Sequence, residues 1–288
     1  MRILLSALFL SWCAASALEA QDVAAAPAKR KTAVRRTVIA APLAKRQTAP
    51  AKPWKFFPMF EFSSGELDGS DRNNLVYLPV SLKRLLPSAD VSVTASYVSL
   101  ETTGEATVVD GVMQQIYKGS SGTKAQSHSG LGDIEVLGRY YIVSQFDAVP
   151  TIDTYAKLKL PTADEKEGLG TGEFDLGFGF ELSRWFADKY VVSLDWGYLV
   201  VGDPDNIKLN NQAVFDLGFG VNLEKQTLVS LFYKERTALV DGMDNPRDLQ
   251  LKLNRRIDAD KRFLAGFDIG LSDGSPDLGG YVGMSFKF

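Results

Sequence analysis

The chain has 288 residues, of which 45% are hydrophobic, with 25 glycines, 10 tyrosines, 17 phenylalanines and a formal net charge of −3. Beyond the first few residues no apolar run approaches the roughly 20 residues that a membrane helix needs, so a helical membrane protein is excluded. A single histidine and a single cysteine provide no Cys/His metal cluster, and neither a metal nor a cofactor is expected.

The first element is a secretory signal. Met1–Arg2 is a short positive region and Ile3–Trp12 an apolar run of signal-core length, too short for a membrane anchor. Cleavage after Ala17 or Ala20 is expected, giving a signal peptide over 1–20. Trp12 is too bulky to precede a lipoprotein cysteine, so Cys13 is removed and the mature chain has no thiol. Residues 21–53 are rich in Ala, Pro, Lys and Arg; from 21 to 55 nine basic residues stand against Asp22 alone. So little apolar surface cannot offset the entropy of ordering. A disordered basic periplasmic tail is expected, a solvated linker in the first instance and a contact to peptidoglycan in the alternative. Export argues against a nucleic-acid partner.

From Trp54 onward the hydrophobic period becomes two, the signature of strands with unlike faces. Strands are expected at 54–62, 75–83, 90–98, 133–142, 151–160, 173–183, 191–200, 213–223, 227–235, 249–254, 262–271 and 277–288. Phe174, Leu176, Phe178 and Phe180 alternate with Asp175, Gly177, Gly179 and Glu181; Val282, Met284, Phe286 and Phe288 alternate with Tyr281, Gly283, Ser285 and Lys287. Pro58 interrupts the first strand, and Pro79 requires an edge-like or bulged site in the second.

A soluble β-sandwich also alternates. Three features favour a transmembrane antiparallel up-and-down β-barrel of about twelve strands over 54–288. Segments of about ten residues suit a tilted strand crossing a bilayer. Charges fall almost wholly on one face. Short turns (84–88, 143–148, 184–189, 224–226, 257–260) alternate with generally longer Gly/Asp/Ser-rich loops (63–72, 100–130, 161–172, 201–210, 237–247, 272–276), the outer-membrane arrangement. Closure is required because an open edge in lipid leaves backbone groups unpaired. The even count places both ends in the periplasm, and rings such as Trp54, Tyr140, Phe186 and Tyr190 suit the interface.

Four segments in order resemble a known family: Ser129-Gly-Leu-Gly-Asp133; Lys159-Leu-Pro-Thr162 with Gly168-Leu-Gly-Thr-Gly172; Trp196-Gly-Tyr198 with Gly202-Asp-Pro204; and Gly270-Leu-Ser-Asp-Gly-Ser-Pro276. They are similar to the outer-membrane proteins named for the meta-pathway of phenol degradation, over roughly 75–288. The resemblance implies a Gram-negative outer-membrane barrel that transports aromatic or other small hydrophobic compounds. The basic tail has no counterpart in it.

Lys or Arg facing lipid at mid-membrane costs about 2–4 kcal/mol. The inward face is therefore expected to carry Asp133, Glu135, Arg139, Asp153, Lys157, Lys159, Asp175, Glu181, Asp195, Asp216, Lys234, Lys252, Arg262, Asp268 and Lys287. These form either paired charges filling a narrow lumen or a hydrated path that selects permeants. Inward glycines (177, 179, 218, 220, 266, 270, 279, 283) leave room and favour the path. Phe288 is expected to be read by the barrel-assembly machinery. The other partners are outer-membrane lipid and lipopolysaccharide, a small-molecule permeant and, through the tail, peptidoglycan.

Passive uptake is the first functional reading and a structural anchor the second. A lipid hydrolase is the third. Its only histidine is His128, flanked by Ser127 and Ser129 at the end of the longest loop, where a solvated residue is the better reading. Acidic loop groups at 164–167 and 203–205 lack the spacing of a calcium loop.

Overall fold

The computed structural model describes residues 50–69, 72–102, 106–116, 125–146, 148–205, 207–223 and 226–288. The expected signal peptide, and the expected tail up to residue 49, lie outside them. No helix of the described residues is long and apolar enough to cross a membrane.

Fifteen strands form: β1 (Trp54–Glu66), β2 (Arg72–Leu85), β3 (Ala89–Thr102), β4 (Ala106–Val109), β5 (Val112–Gln115), β6 (Gln126–Leu131), β7 (Ile134–Val143), β8 (Thr151–Leu160), β9 (Asp175–Phe186), β10 (Tyr190–Val200), β11 (Gln212–Leu223), β12 (Thr227–Arg236), β13 (Arg247–Arg256), β14 (Lys261–Gly270) and β15 (Leu278–Lys287). Neighbours pair antiparallel around a ring that β1 closes against β15. β6 pairs with the end of β3 from Tyr97 to Thr102, and β7 with its start from Ala89 to Thr94. The two act as one bent wall strand, which makes twelve in the wall. At the bend the Gly132 N–H donates to the Ser96 carbonyl at 2.9 Å. A Cβ on Gly132 would lie 2.3 Å from Ser96 Oγ, so only glycine lets the chain come this close.

β1 runs four residues beyond the expected end at 62. Pro58, and Pro79 of β2, are accommodated by gaps in pairing. On the β15 side the register passes from Phe56 directly to Met59, leaving Pro58 out. On the β2 side it passes from Pro58↔Val80 to Glu61↔Tyr77, which leaves Pro79 out. Neither ladder needs the N–H that proline lacks.

The strand order places the short turns, the start of β1 and the end of β15 at one rim, here the turn end, and the longer connections at the other, the loop end. Side chains then sort inside out relative to a soluble protein. Phe174, Leu176, Phe178, Leu217, Phe219 and Phe267 are exposed, whereas Asp175, Glu181, Asp195, Asp216, Lys234 and Asp268 are buried. Water would penalise that outer face, and a lipid medium would not. Near the turn end cations cap the aromatic rings: Arg84 over Trp54 at 4.9 Å, Arg184 over Phe186 at 5.2 Å and Lys189 over Tyr190 at 5.5 Å. Such pairs suit the interface, with the ring in the acyl boundary and the charge in water.

Candidate permeation pathway

The inner face holds most of the charge. Arg139, Asp153, Lys159, Asp175, Glu181, Asp195, Asp216, Lys234, Lys252, Arg262 and Asp268 are buried there, while Asp133, Glu135, Lys157 and Lys287 are half-buried. Several pair. Arg139 donates to Glu181 at 2.7 Å, and Asp90 lies 3.8 Å from Arg139 and 3.1 Å from Lys83. Lys159 bridges Asp133 at 3.1 Å and Asp175 at 2.9 Å. Asp133 also accepts the backbone N–H groups of Thr162 and Ala163, both at 2.9 Å, so it pins the loop after β8 to the wall. Sequence reasoning missed Lys55, Glu61, Lys83, Asp90, Arg236 and Asp248, all buried on the same face. The alternation in 75–98 is diluted by serines on the inner face, and its parity was the signal that finds Lys83 and Asp90.

The inward glycines do not simply leave room. A Cβ on Gly266 would lie 2.0 Å from the Tyr281 ring, one on Gly218 2.3 Å from the Phe232 ring, and one on Gly179 2.5 Å from the Tyr155 hydroxyl. Each glycine is a seat in which a neighbouring strand's ring lies flat against the wall, a cross-strand packing that rescues glycine within a sheet. At these three positions the space that glycine leaves is taken by a neighbouring ring. β1, β14 and β15 supply an apolar patch facing inward: Phe57, Met59, Leu264 and Tyr281.

The stretch expected as one long loop contains structure. β4 and β5 pair as a hairpin whose turn residues Asp110 and Gly111 have φ of 58° and 77°, as a two-residue turn with both centres left-handed requires. The hairpin folds into the loop-end mouth. Ala106, Val108 and Met113 pack with Leu75, Tyr77, Val98 and Leu100, while Val109 packs with Leu199, Leu209 and Leu239. Gln114 and Gln212 exchange hydrogen bonds at 3.3 and 2.8 Å, and Lys157 pairs with Asp110. The hairpin thus spans from β2–β3 to β10–β12. Its sequence sign, Val108-Val109-Asp110-Gly111-Val112-Met113, is an Asp-Gly turn between apolar pairs.

A small cavity at the turn end is lined by Lys55, Phe57, Ser81, Lys83, Asn254, Arg262, Leu264 and Ser285. His128 lies in β6 rather than in a loop, and its ring nitrogens face Glu167 and Gln126, not a serine hydroxyl. The acidic loop groups serve locally: Asp203 accepts from Leu209 N at 2.7 Å and Asp164 from Lys166 N at 3.0 Å. Among the described residues no group of three or more His, Cys, Asp or Glu is disposed to hold a metal ion.

A closed ring of twelve antiparallel strands with an apolar exterior, a charged interior and alternating connection lengths defines an outer-membrane β-barrel. The chain belongs to the family described as "Putative MetA-pathway of phenol degradation", which matches residues 82–288. Its fold is similar to that of the COG4313 outer membrane channel from Pseudomonas putida F1, at 11% identity and a TM-score of 0.62, covering 85% of this chain and 98% of that one. The NanC porin is similar at 10% identity and 0.54, covering 81% of this chain and 100% of that one. The KdgM porin is similar at 11% and 0.50, covering 81% and 99%. No curated protein matches the sequence.

Proposed function

We propose that this barrel is a passive, non-enzymatic channel through which small molecules, aromatic or hydrophobic compounds among them, enter across the outer membrane. The observation that carries the reading is an apolar patch set into a charged lumen. Phe57, Met59, Leu264 and Tyr281 on β1, β14 and β15 lie on the inner face among Lys55, Glu61, Arg262 and Asp268 of β1 and β14 and share the interior with the charged residues of β8–β13. A lumen intended only as a paired-charge core has no use for an inward apolar face. The similar solved structures include one named as a channel and two named as porins, which supports the reading at the level of fold.

In this reading the turn end faces the periplasm, where the basic tail emerges and can meet peptidoglycan. The loop end meets lipopolysaccharide, and Phe288 presents itself to the assembly machinery. The charges of the inner wall line the path, and the β4–β5 hairpin narrows its outer mouth. Purified barrel in planar bilayers should give discrete conductance steps that aromatic acids or alkanes partly block. A correctly folded barrel that stays silent under all conditions refutes the proposal.

A further inference from the structure

Six inward residues share one line of cross-strand register. Asp153 of β8 stands opposite Glu181 of β9, Glu181 opposite Asp195 of β10, and Asp195 opposite Asp216 of β11. The line continues through Lys234 of β12 to Asp248 of β13. None is more than 8% exposed. Residues directly opposite on one face have Cβ atoms about 4.5–5.5 Å apart, and like charges so placed destabilise a sheet. Three successive acid–acid neighbours are therefore not a folding device.

The line also climbs. Asp153 is the third residue of β8 from the turn end, whereas Asp248 is the second of β13 from the loop end. Strand tilt converts a horizontal register into a spiral from one mouth to the other. The acids are not sealed into ion pairs throughout. Glu181 has Arg139 at 2.7 Å and Asp195 the Tyr155 hydroxyl at 3.1 Å. Neither oxygen of Asp216 nor the amine of Lys234 hydrogen-bonds to any of the described residues. Asp216 faces Lys234 across the register and feels the charges of Lys252 and Arg236, but its oxygens keep lone pairs open to water or a mobile cation. Among the described residues no three acids are disposed to hold a metal ion, so the line is read as a track.

We propose that this acidic track makes the lumen select cations: alkali ions and, as permeants proper, organic ammonium ions small enough to pass. A cleft lined by one sign of charge concentrates its counter-ion. The opposing charges on the inner face are Arg139, Lys157, Lys159, Lys234, Arg236 and Lys252, and the turn-end mouth adds Lys55, Lys83, Arg262 and Lys287. This inference rests on the channel reading and specifies its permeant.

The test uses full-length barrel in planar bilayers, measuring reversal potentials in a potassium chloride gradient and then with benzylammonium against benzoate, a pair alike in shape and opposite in charge. Potassium should outrun chloride and benzylammonium outrun benzoate. Asp195→Asn/Asp216→Asn should lower both ratios several-fold, while Asp188→Asn on an exposed turn leaves them unchanged; heat-modifiable migration verifies folding. Silence of the wild-type barrel defeats the channel reading. A conducting barrel that is anion-selective, unselective, or unmoved by the double variant defeats the track. Should the double variant fail to fold, the wild-type ratios alone still decide.

Discussion

Trp54 and Phe288 exchange two backbone hydrogen bonds, Trp54 N–H to the Phe288 carbonyl at 3.1 Å and Phe288 N–H to the Trp54 carbonyl at 3.0 Å. The last residue thus extends the seam that β1 and β15 make and ties it at the turn end. Its ring is exposed, as is that of Trp54, and both suit the interface. Deleting Phe288 removes both bonds and leaves the backbone N–H and carbonyl of Trp54 without their seam partners at the membrane boundary. The expected outcome is export without efficient insertion, measured as loss of the heat-modifiable band from outer-membrane fractions. Phe288→Ala, which keeps the backbone pair, separates the seam from any signal carried by the ring.

A second expectation concerns the glycine seats. Gly266→Ala drives a methyl group to within 2.0 Å of the Tyr281 ring, so Tyr281 must swing off the wall into the lumen. Overpacking of this kind costs about 1–3 kcal/mol. Unfolding in urea should therefore occur earlier and single-channel conductance should fall. Recovery of conductance in Gly266→Ala/Tyr281→Ala would show that the displaced ring is the cause.

The wall was legible in the sequence and its filling was not. Strands such as 173–183 and 213–223 alternate cleanly because each outward position meets lipid and each inward one meets a polar lumen, so period, face and length all agree. β1 was legible only in part, because Pro58 disrupts the period while the neighbouring gaps in register that absorb it are visible only in the fold. The same limit applies to rings and glycines. That Gly266 seats Tyr281, or Gly218 seats Phe232, depends on which residues stand opposite, and register is set by the whole ring. The acidic track likewise exists only once six strands are aligned.

The hairpin should control the outer mouth. Its apolar contacts to Leu100 on one side and Leu199 on the other, with the Gln114–Gln212 pair, hold it across the opening. Replacing 106–115 by a short Gly-Ser linker should raise conductance without unfolding the barrel, since the ring closes through β3, β6 and β7 independently of it. Equal conductance would place the narrowest point deeper in the lumen.

The last expectation concerns Arg139, which is 2% exposed between Asp90 at 0% and Glu181 at 8%. Arg139→Met keeps length and apolar volume but removes the donor that Glu181 accepts from at 2.7 Å and one of the two cations beside Asp90, which keeps Lys83 and the Tyr141 hydroxyl. Removing one partner of a buried charge set costs about 3–5 kcal/mol, far more than the pairing itself is worth. Urea unfolding from lipid vesicles should therefore show a large loss for Arg139→Met. The triple variant Arg139→Met/Asp90→Asn/Glu181→Gln should regain most of it, because neutral amides need no counter-charge and still hydrogen-bond. If the single and triple variants are equally unstable, the contribution of Arg139 lies in packing between β7 and its neighbours rather than in charge. Glu181 also lies on the acidic track, so the triple variant should weaken cation preference even as it restores stability. Stability and selectivity would then move in opposite directions on one set of residues, which separates the structural role of the Arg139 cluster from the role of the path it borders.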